Sequence, residues 1–135
     1  MNAENNTIDK LGWITISNGQ VLMTRSVNKD SFYIPGGKRD PGETDHQALE
    51  REVFEETSVS LLKDSIEYFE TFLSPADGKP NTNVSIKAYF AEYEGVLKPS
   101  SEIEELKWVS FEDRGLCSEA SRKIVEALES KGLLN

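Results

Sequence analysis

The sequence predicts an α/β/α sandwich, a fold of the α/β class in which a mixed β-sheet lies between helices. Short β-branched and apolar runs recur between residues 11 and 34 and again between residues 59 and 110. One uninterrupted helical segment separates the two regions, and a second helical segment closes the chain. This order favours helices on both faces of one sheet. No linker divides the chain, so we expect a single domain over residues 1–135, with residues 1–7 as a flexible tail.

A β-hairpin is expected near the amino terminus. Residues 11–17 and 20–26 are apolar, β-branched runs, and the Asn18-Gly19 dipeptide between them strongly favours a two-residue turn. In the second half of the chain, apolar and polar residues alternate from residue 84, which is typical of a half-buried strand. The remaining predicted elements are strands over 31–34, 59–62, 66–74 and 106–110, and a helix over 118–131.

The helix predicted over residues 45–57 has the clearest local signals. Thr44 is the expected N-cap, and Gln47, three residues later, completes a capping box. Leu49 and Val53 lie one turn apart and would pack the helix against the core.

Three glutamates share one face of this helix. Glu52, Glu55 and Glu56 are spaced i, i+3 and i+4, and like charges this close destabilise an isolated helix. A bound cation would reverse that effect, and hard cations such as Mg²⁺ prefer carboxylate oxygens. Taken alone, the pattern also fits a solvated acidic face, but the glycine-rich loop before the helix favours a metal site.

The spacing of these residues resembles the Nudix box. In that family pattern, five residues separate a glycine from a glutamate, and seven more residues precede the sequence Arg-Glu-apolar. One residue further on comes Glu-Glu, and after one more residue comes Gly-apolar. The matching residues here are, in order, Gly37, Glu43, Arg51, Glu52, Val53, Glu55, Glu56, Ser58 and Val59. Only Ser58 departs, because the family has glycine there. If this position needs a positive φ, we expect serine to cost roughly 1 kcal/mol of stability and no chemistry.

The resemblance implies a Nudix-type sandwich and hydrolysis of a nucleoside diphosphate linked to another group, with Mg²⁺ or Mn²⁺. By position in the box, the metal ligands would be Glu52, Glu55 and Glu56, with the backbone carbonyl of Gly36. Glu52 or Glu55 would also be a candidate general base. Arg51 would act in catalysis by orienting the carboxylate of one of these glutamates, and Glu43 would hold the loop in place through its contact with Arg51.

Other site residues follow from the same resemblance. Arg25 is similar to the strand-end arginine that contacts substrate in the mutator-type (MutT-like) nucleoside triphosphatases of the family. Gly37 and Lys38 would meet a phosphate. A further acidic ligand or base is expected in a later loop, where Glu102 is slightly preferred over Glu104 and Glu105.

Composition limits the partners. Lys and Arg total 15 against 24 for Asp and Glu, so the net charge is −9, which argues against binding a nucleic-acid polymer. The sequence has no signal-peptide pattern and no apolar run long enough for a membrane span, so we expect a cytoplasmic protein. Its single cysteine, Cys117, excludes an internal disulfide. A homodimer is compatible with the family but is not indicated by any residue pattern.

Three functions remain open. The leading interpretation is a small-molecule nucleotide hydrolase that converts a (deoxy)nucleoside triphosphate to its monophosphate and pyrophosphate. The second is a nucleotide-sugar or ADP-ribose pyrophosphatase. The third is a nucleotide-binding module that has kept the fold without turnover.

Overall fold

The computed structural model describes residues 6–135, which form strands and helices in the order expected for a sandwich. The strands are β1 (Asn6–Ile14), β2 (Ile16–Ser17), β3 (Gln20–Ser26), β4 (Gly36–Gly37), β5 (Ser60–Leu61), β6 (Glu67–Pro75), β7 (Thr82–Phe90), β8 (Tyr93–Glu94) and β9 (Ile103–Val109). The α-helices are α1 (Asp45–Thr57) and α2 (Glu119–Ser130), and two 3₁₀ turns span Lys63–Ser65 and Phe111–Leu116. Within these residues, neither α-helix is long and apolar enough to cross a membrane.

The central sheet is mixed and has the strand order β4-β1-β7-β6. β1 and β7 run parallel from the Asn6–Thr82 pair to the Ile14–Phe90 pair, whereas β4 and β6 are antiparallel to their neighbours. β2, β3 and β9 form a second, antiparallel sheet, and β5 pairs with β8.

Each helix covers its own hydrophobic core. Leu11 and Trp13 of β1 pack towards α1, where they meet Leu49 and Val53. Ile14 of β1 belongs to the other cluster, which contains the α2 residues Ile124, Val125 and Leu128. Because side chains alternate along a strand, β1 contributes to both cores. The α/β/α arrangement predicted from the sequence is therefore confirmed.

The amino-terminal prediction is correct in its turn and wrong in its first strand. Asn18 and Gly19 both have positive φ, and the hairpin pairs Ile16 with Val21. However, residues 11–17 do not form one strand, because β1 ends at Ile14 and pairs with β4 and β7. Both faces of β1 are buried from Leu11 to Ile14, so the pattern could not reveal where the chain leaves one sheet for the other. Residues 6 and 7 of the predicted tail belong to β1, and residues 1–5 lie outside the described residues.

Most of the elements predicted for the later part of the chain are present, but their ends differ from the predicted ones. β6, β7 and β9 lie within about three residues of the predicted strands, and α2 begins after its N-cap, Ser118. The strand predicted over 31–34 is wrong: this segment forms only isolated bridges, between Thr24 and Tyr33 and between Phe32 and Cys117. The predicted start at 59–62 becomes the two-residue strand β5.

Helix α1 has the predicted ends. The side chain of Thr44 accepts a hydrogen bond from the Gln47 N–H, and the Gln47 side chain accepts one from the Thr44 N–H, so the capping box is present. Ser58 caps the other end in the left-handed conformation, with φ 71°. Its hydroxyl donates to the carbonyl of Lys98 at 3.2 Å.

The conformation of Ser58 gives a stability prediction. Ser58→Gly relieves the left-handed strain but loses the hydroxyl bond to Lys98, whereas Ser58→Ala keeps the strain and loses the same bond. We expect the glycine variant to exceed the alanine variant by about 1 kcal/mol in free energy of unfolding. Urea denaturation monitored by circular dichroism measures this difference. An alanine variant as stable as the glycine variant would contradict the strain argument.

Candidate active site

Two consecutive glycines form the wall against which α1 lies. In β4, Gly36 pairs with Gly12 and Gly37 pairs with Leu11, both on β1. Gly36 has φ 143°, and a Cβ atom there would overlap the carbonyl oxygen of Leu11. A side chain at Gly36 is therefore excluded by backbone conformation and by space.

Glu56 lies against the first of these glycines. The Gly36 N–H donates a hydrogen bond to Oε1 of Glu56 at 3.1 Å. Burial, reinforced by the negative charges of Glu52 and Glu55, raises the pKa of the Glu56 carboxyl to about 8, against the opposing effects of the Gly36 N–H and Lys10. The charged carboxylate of Glu56 therefore lacks a sufficient positive partner.

Glu52 lies against the second glycine. A Cβ atom on Gly37 would overlap the carboxyl group of Glu52, with Oε1 at 2.6 Å and Oε2 at 2.7 Å. Burial raises the pKa of Glu52, although Arg51 partly offsets the effect. The absence of a side chain at Gly37 is thus what admits this carboxylate.

Arg51 connects the loop to the glutamates. Its guanidinium binds both carboxylate oxygens of Glu43, at 2.7 and 2.9 Å, and donates to the carbonyl of Lys38 at 3.1 Å. The same group contacts Glu52 at 3.1 Å and Glu55 at 3.3 Å. The pairing with Arg51 lowers the pKa of Glu43 to about 2. The expected contact between Glu43 and Arg51 is therefore present.

The three box glutamates do not all converge. Among residues 6–135, no three acidic, histidine or cysteine side chains are placed to hold one ion. The physical reason is Arg51, which draws Glu52 and Glu55 to one Nη atom while Glu56 turns to Gly36. Glu55 is half-exposed, so its side chain has room to rotate towards the others. Oxygen donors of this kind suit a hard divalent cation.

A cavity of about 260 Å³ begins beside Glu56. It lies on the face of β1 and β7 that points towards α2, and the loop between β6 and β7 borders it. Its apolar wall includes Ile8, Ile34, Val84 and Ile86, and its polar lining includes Lys10, Tyr33, Asp77 and Ser121. The Glu56 carboxylate of α1 therefore adjoins a space that can receive part of a small molecule.

The family model for the NUDIX domain matches residues 11–128, which is most of the chain and includes the whole glycine and glutamate constellation. The chain belongs to the Nudix family. It is accordingly a pyrophosphohydrolase, an enzyme that acts on acid anhydrides in phosphorus-containing compounds. Enzymes of this family typically use divalent metals and small nucleotide substrates.

Solved structures share the fold of this Nudix domain. A protein from Chromobacterium violaceum assigned to the nudix hydrolase family is 25% identical, over 95% of this chain and 80% of that chain, with a TM-score of 0.76. The MutT protein from Methanosarcina mazei Go1 is 21% identical, over 97% and 99% of the two chains, with a TM-score of 0.78.

A third structure belongs to a larger protein. The bifunctional NMN adenylyltransferase/ADP ribose pyrophosphatase from Francisella tularensis, complexed with AMP and a Mn ion, is 20% identical, with a TM-score of 0.70. The match covers 96% of this chain and 43% of that one. A comparison with curated protein sequences finds no match.

Arg25 of this Nudix domain is engaged away from the cavity. Its guanidinium donates to Glu104 at 2.9 Å and to Glu105 at 3.1 Å, and it also contacts the carbonyl of Lys29. Its neighbours Thr24 and Ser26 line the cavity, whereas Arg25 does not. Its role as a substrate contact therefore stays a prediction, and two of the three candidate later acids are already paired.

Glu102 lies in the loop that packs on the end of α1. The Ser100 N–H donates to the carbonyl of Glu56 at 3.1 Å, and the carbonyl of Glu102 accepts from the Val27 N–H at 2.8 Å. The Glu102 side chain is exposed and is not part of the cavity lining. The backbone thus places Glu102 near the box helix, while its catalytic role remains a prediction.

Two features of the cavity were not predicted from the sequence. Lys10 follows Asp9 directly, so the pair reads as a polar strand end; the available signal was the alternation that places Lys10 on the same strand face as Ile8 and Gly12. The hydrogen bond between the Tyr33 hydroxyl and Asp77, at 3.1 Å, links segments 44 residues apart. No sequence pattern indicates that contact.

Proposed function

We propose that this protein is a Mg²⁺- or Mn²⁺-dependent hydrolase that cleaves the diphosphate linkage of a nucleoside diphosphate joined to a further group. The substrate we favour is a (deoxy)nucleoside triphosphate, which would yield the monophosphate and pyrophosphate. The observation that carries this proposal is the seating of Glu52 and Glu56 against adjacent glycines, with Gly36 and Glu56 at the edge of a cavity. The glycine backbone admits both carboxylates, and the one at the cavity edge, Glu56, lacks a sufficient positive partner where a phosphate chain would enter.

Four residues would supply the oxygen ligands of the cation. Glu52, Glu55 and Glu56 would supply carboxylate oxygens, and Gly36 would supply its carbonyl oxygen. A divalent cation bound there supplies neutralisation of phosphate charge and activation of water. Arg51 then keeps the Glu43 loop fixed while its hold on Glu55 is released, because the bidentate pair with Glu43 is the stronger contact.

Substrate contacts would come from both sides of the glycines. Gly37 would contribute its backbone beside the Glu52 carboxyl group, and Lys38 offers an exposed ammonium on a residue whose carbonyl is held by Arg51. Arg25 would reach substrate only after leaving Glu104 and Glu105. Glu52, Glu55 and Glu102 are the candidates for the group that accepts a proton from water.

The size of the cavity suits the nucleoside part of a triphosphate. The cavity has room for about one nucleoside on its apolar side, and the polyphosphate would lie across α1 towards solvent. ADP-ribose or a nucleotide sugar is the nearest alternative, because its second moiety would occupy the open side instead.

A turnover assay tests the proposal. Each of the eight common ribo- and deoxyribonucleoside triphosphates, ADP-ribose and UDP-glucose is incubated with Mg²⁺, with Mn²⁺ or with EDTA, and the phosphorus-containing products are separated. We expect pyrophosphate to be released from at least one triphosphate. This release should be lost with EDTA and reduced at least about 100-fold in Glu55→Gln.

Glu50→Gln is the matched control, since Glu50 is on α1 but outside the group of box glutamates, and it should keep wild-type activity. Release of monophosphates from ADP-ribose or UDP-glucose alone would favour the alternative substrate class, and no metal-dependent turnover at all would favour a binding module.

A further inference from the structure

Three lysines, together with the carboxyl groups of Glu56 and Asp77, line the cavity beside Glu56 in a protein of net charge −9. Lys10, Lys29 and Lys79 all border it, on β1, on the loop after β3 and on the loop after β6. Lysines that repel one another are expected to spread over an acidic surface, where carboxylates are abundant. Their gathering around one concave space therefore calls for an anionic occupant.

Lys10 is the innermost of these groups. It pairs in register with Ile86 of β7, and both residues line the cavity together with Ile8 from the same face of β1. Lys10 is partly buried, and no carboxylate of the described residues lies within ion-pair distance of its ammonium. A buried ammonium without a partner is costly, so the position is best explained by a ligand that supplies negative charge.

The charges around Lys10 support the same conclusion. Burial lowers its pKa, the nearby ammonium groups of Lys38 and Lys79 lower it further, and Glu56 and Glu52 oppose this effect. The ammonium is thus near enough to be influenced both by carboxylates of α1 and by lysines of the neighbouring loops. A phosphate group at this point would contact lysines on one side while the carboxylates face it through bound cations on the other.

We propose that Lys10, assisted by Lys79, binds the phosphate that stays attached to the nucleoside, and does so without a metal ion. This inference rests on the proposed function for the identity of the ligand and extends it with a specificity-determining residue. The apolar wall of Ile8, Ile34 and Ile86 receives the nucleoside, which places its phosphate at Lys10. The remaining phosphates then extend past Glu56 to the open side of α1.

Metal-free binding tests this assignment. The affinities of AMP, GMP, CMP and UMP and of the four matching nucleosides are measured by calorimetry in EDTA. We expect the wild-type protein to bind at least one monophosphate at least about tenfold more tightly than its nucleoside, because a hydrogen bond to a charged group is involved. Lys10→Met keeps the aliphatic stem and should remove this preference while leaving nucleoside affinity unchanged.

The controls separate a phosphate contact from a packing effect. Lys63→Met removes the same charge from an exposed turn outside the cavity and should keep the wild-type preference. Lys79→Met, on the exposed loop, should weaken monophosphate binding several-fold and provides the test if Lys10→Met does not fold. Equal loss of monophosphate and nucleoside affinity, or no phosphate preference in the wild-type protein, would overturn the assignment. Turnover in the substrate panel is a separate measurement, so the proposed function and this inference can fail independently.

Discussion

Glu56→Gln is expected to reduce metal-dependent turnover by at least about 10²–10³-fold while leaving the fold intact. Glutamine has nearly the same shape, and its side-chain oxygen can still accept the hydrogen bond from the Gly36 N–H. What disappears is the negative charge that would hold a divalent cation at the cavity edge. Steady-state kinetics with Mg²⁺ and Mn²⁺ on the best substrate of the panel measure the loss. Turnover at the wild-type rate would remove Glu56 from the proposed ligand set.

In the absence of metal, the same substitution is expected to stabilise the protein. The pKa of Glu56 is about 8 in the folded protein against an ordinary value of 4.5, so the folded state binds this proton more tightly than the unfolded chain. The free energy of unfolding therefore falls as the pH rises from about 4.5 towards 8. Glutamine lacks this penalty, so in EDTA at pH 8 we expect Glu56→Gln to be more stable than the wild type by on the order of 1–3 kcal/mol.

Urea denaturation at two pH values checks the sign. The stability difference between Glu56→Gln and the wild type should vanish near pH 4, where the wild-type carboxyl is protonated in both states. Added Mg²⁺ should stabilise the wild-type protein selectively, because ligand binding to the folded state alone raises its stability. A variant less stable than the wild type at pH 8 in EDTA would show that the Glu56 carboxylate is well compensated by its surroundings.

The local parts of the site could be predicted from the sequence because they depend on spacing along one helix. The capping box of Thr44 and Gln47 and the left-handed Ser58 follow from rules that act within a few residues. The neighbouring positions of the box glutamates follow from helical geometry. The directions of their side chains do not, because Arg51 competes for Glu52 and Glu55, and such competition depends on the three-dimensional placement of each group.

The parts that depend on pairing between distant strands were harder to predict. Residues 11–17 look like one strand because Leu11, Trp13 and Ile14 are all buried, so no change of period marks the break before Ile16. Segment 31–34 is apolar enough to be a strand, yet it makes only single bridges. Lys10 gains its importance from a cavity built by β7, α2 and the loop after β6, which no local pattern indicates.

Gly36→Ala is expected to cause a large loss of stability, about 3–5 kcal/mol or failure to fold. At φ 143° an L-residue is strained, and its Cβ would overlap the carbonyl oxygen of Leu11, which is backbone and cannot move without breaking the pairing of β1 with β4. Because β1 lies in the middle of the central sheet, the disturbance reaches both cores. Urea or thermal denaturation measures the loss.

Substitutions at two other glycines distinguish backbone strain, measured as stability, from an effect on turnover. Gly42→Ala is also forced into positive φ, at 87°, but a Cβ there meets no atom within 4 Å, so the cost should be only about 1 kcal/mol. At Gly37 the three atoms nearest to the added Cβ all belong to the carboxyl end of Glu52, a side chain that can rotate away. Gly37→Ala should therefore keep most of its stability and lose turnover about tenfold or more, because Glu52 is displaced from its place beside Glu56. If Gly37→Ala instead unfolds the protein and retains specific activity in the folded fraction, the glycine pair serves only the backbone and the carboxylates do not depend on it.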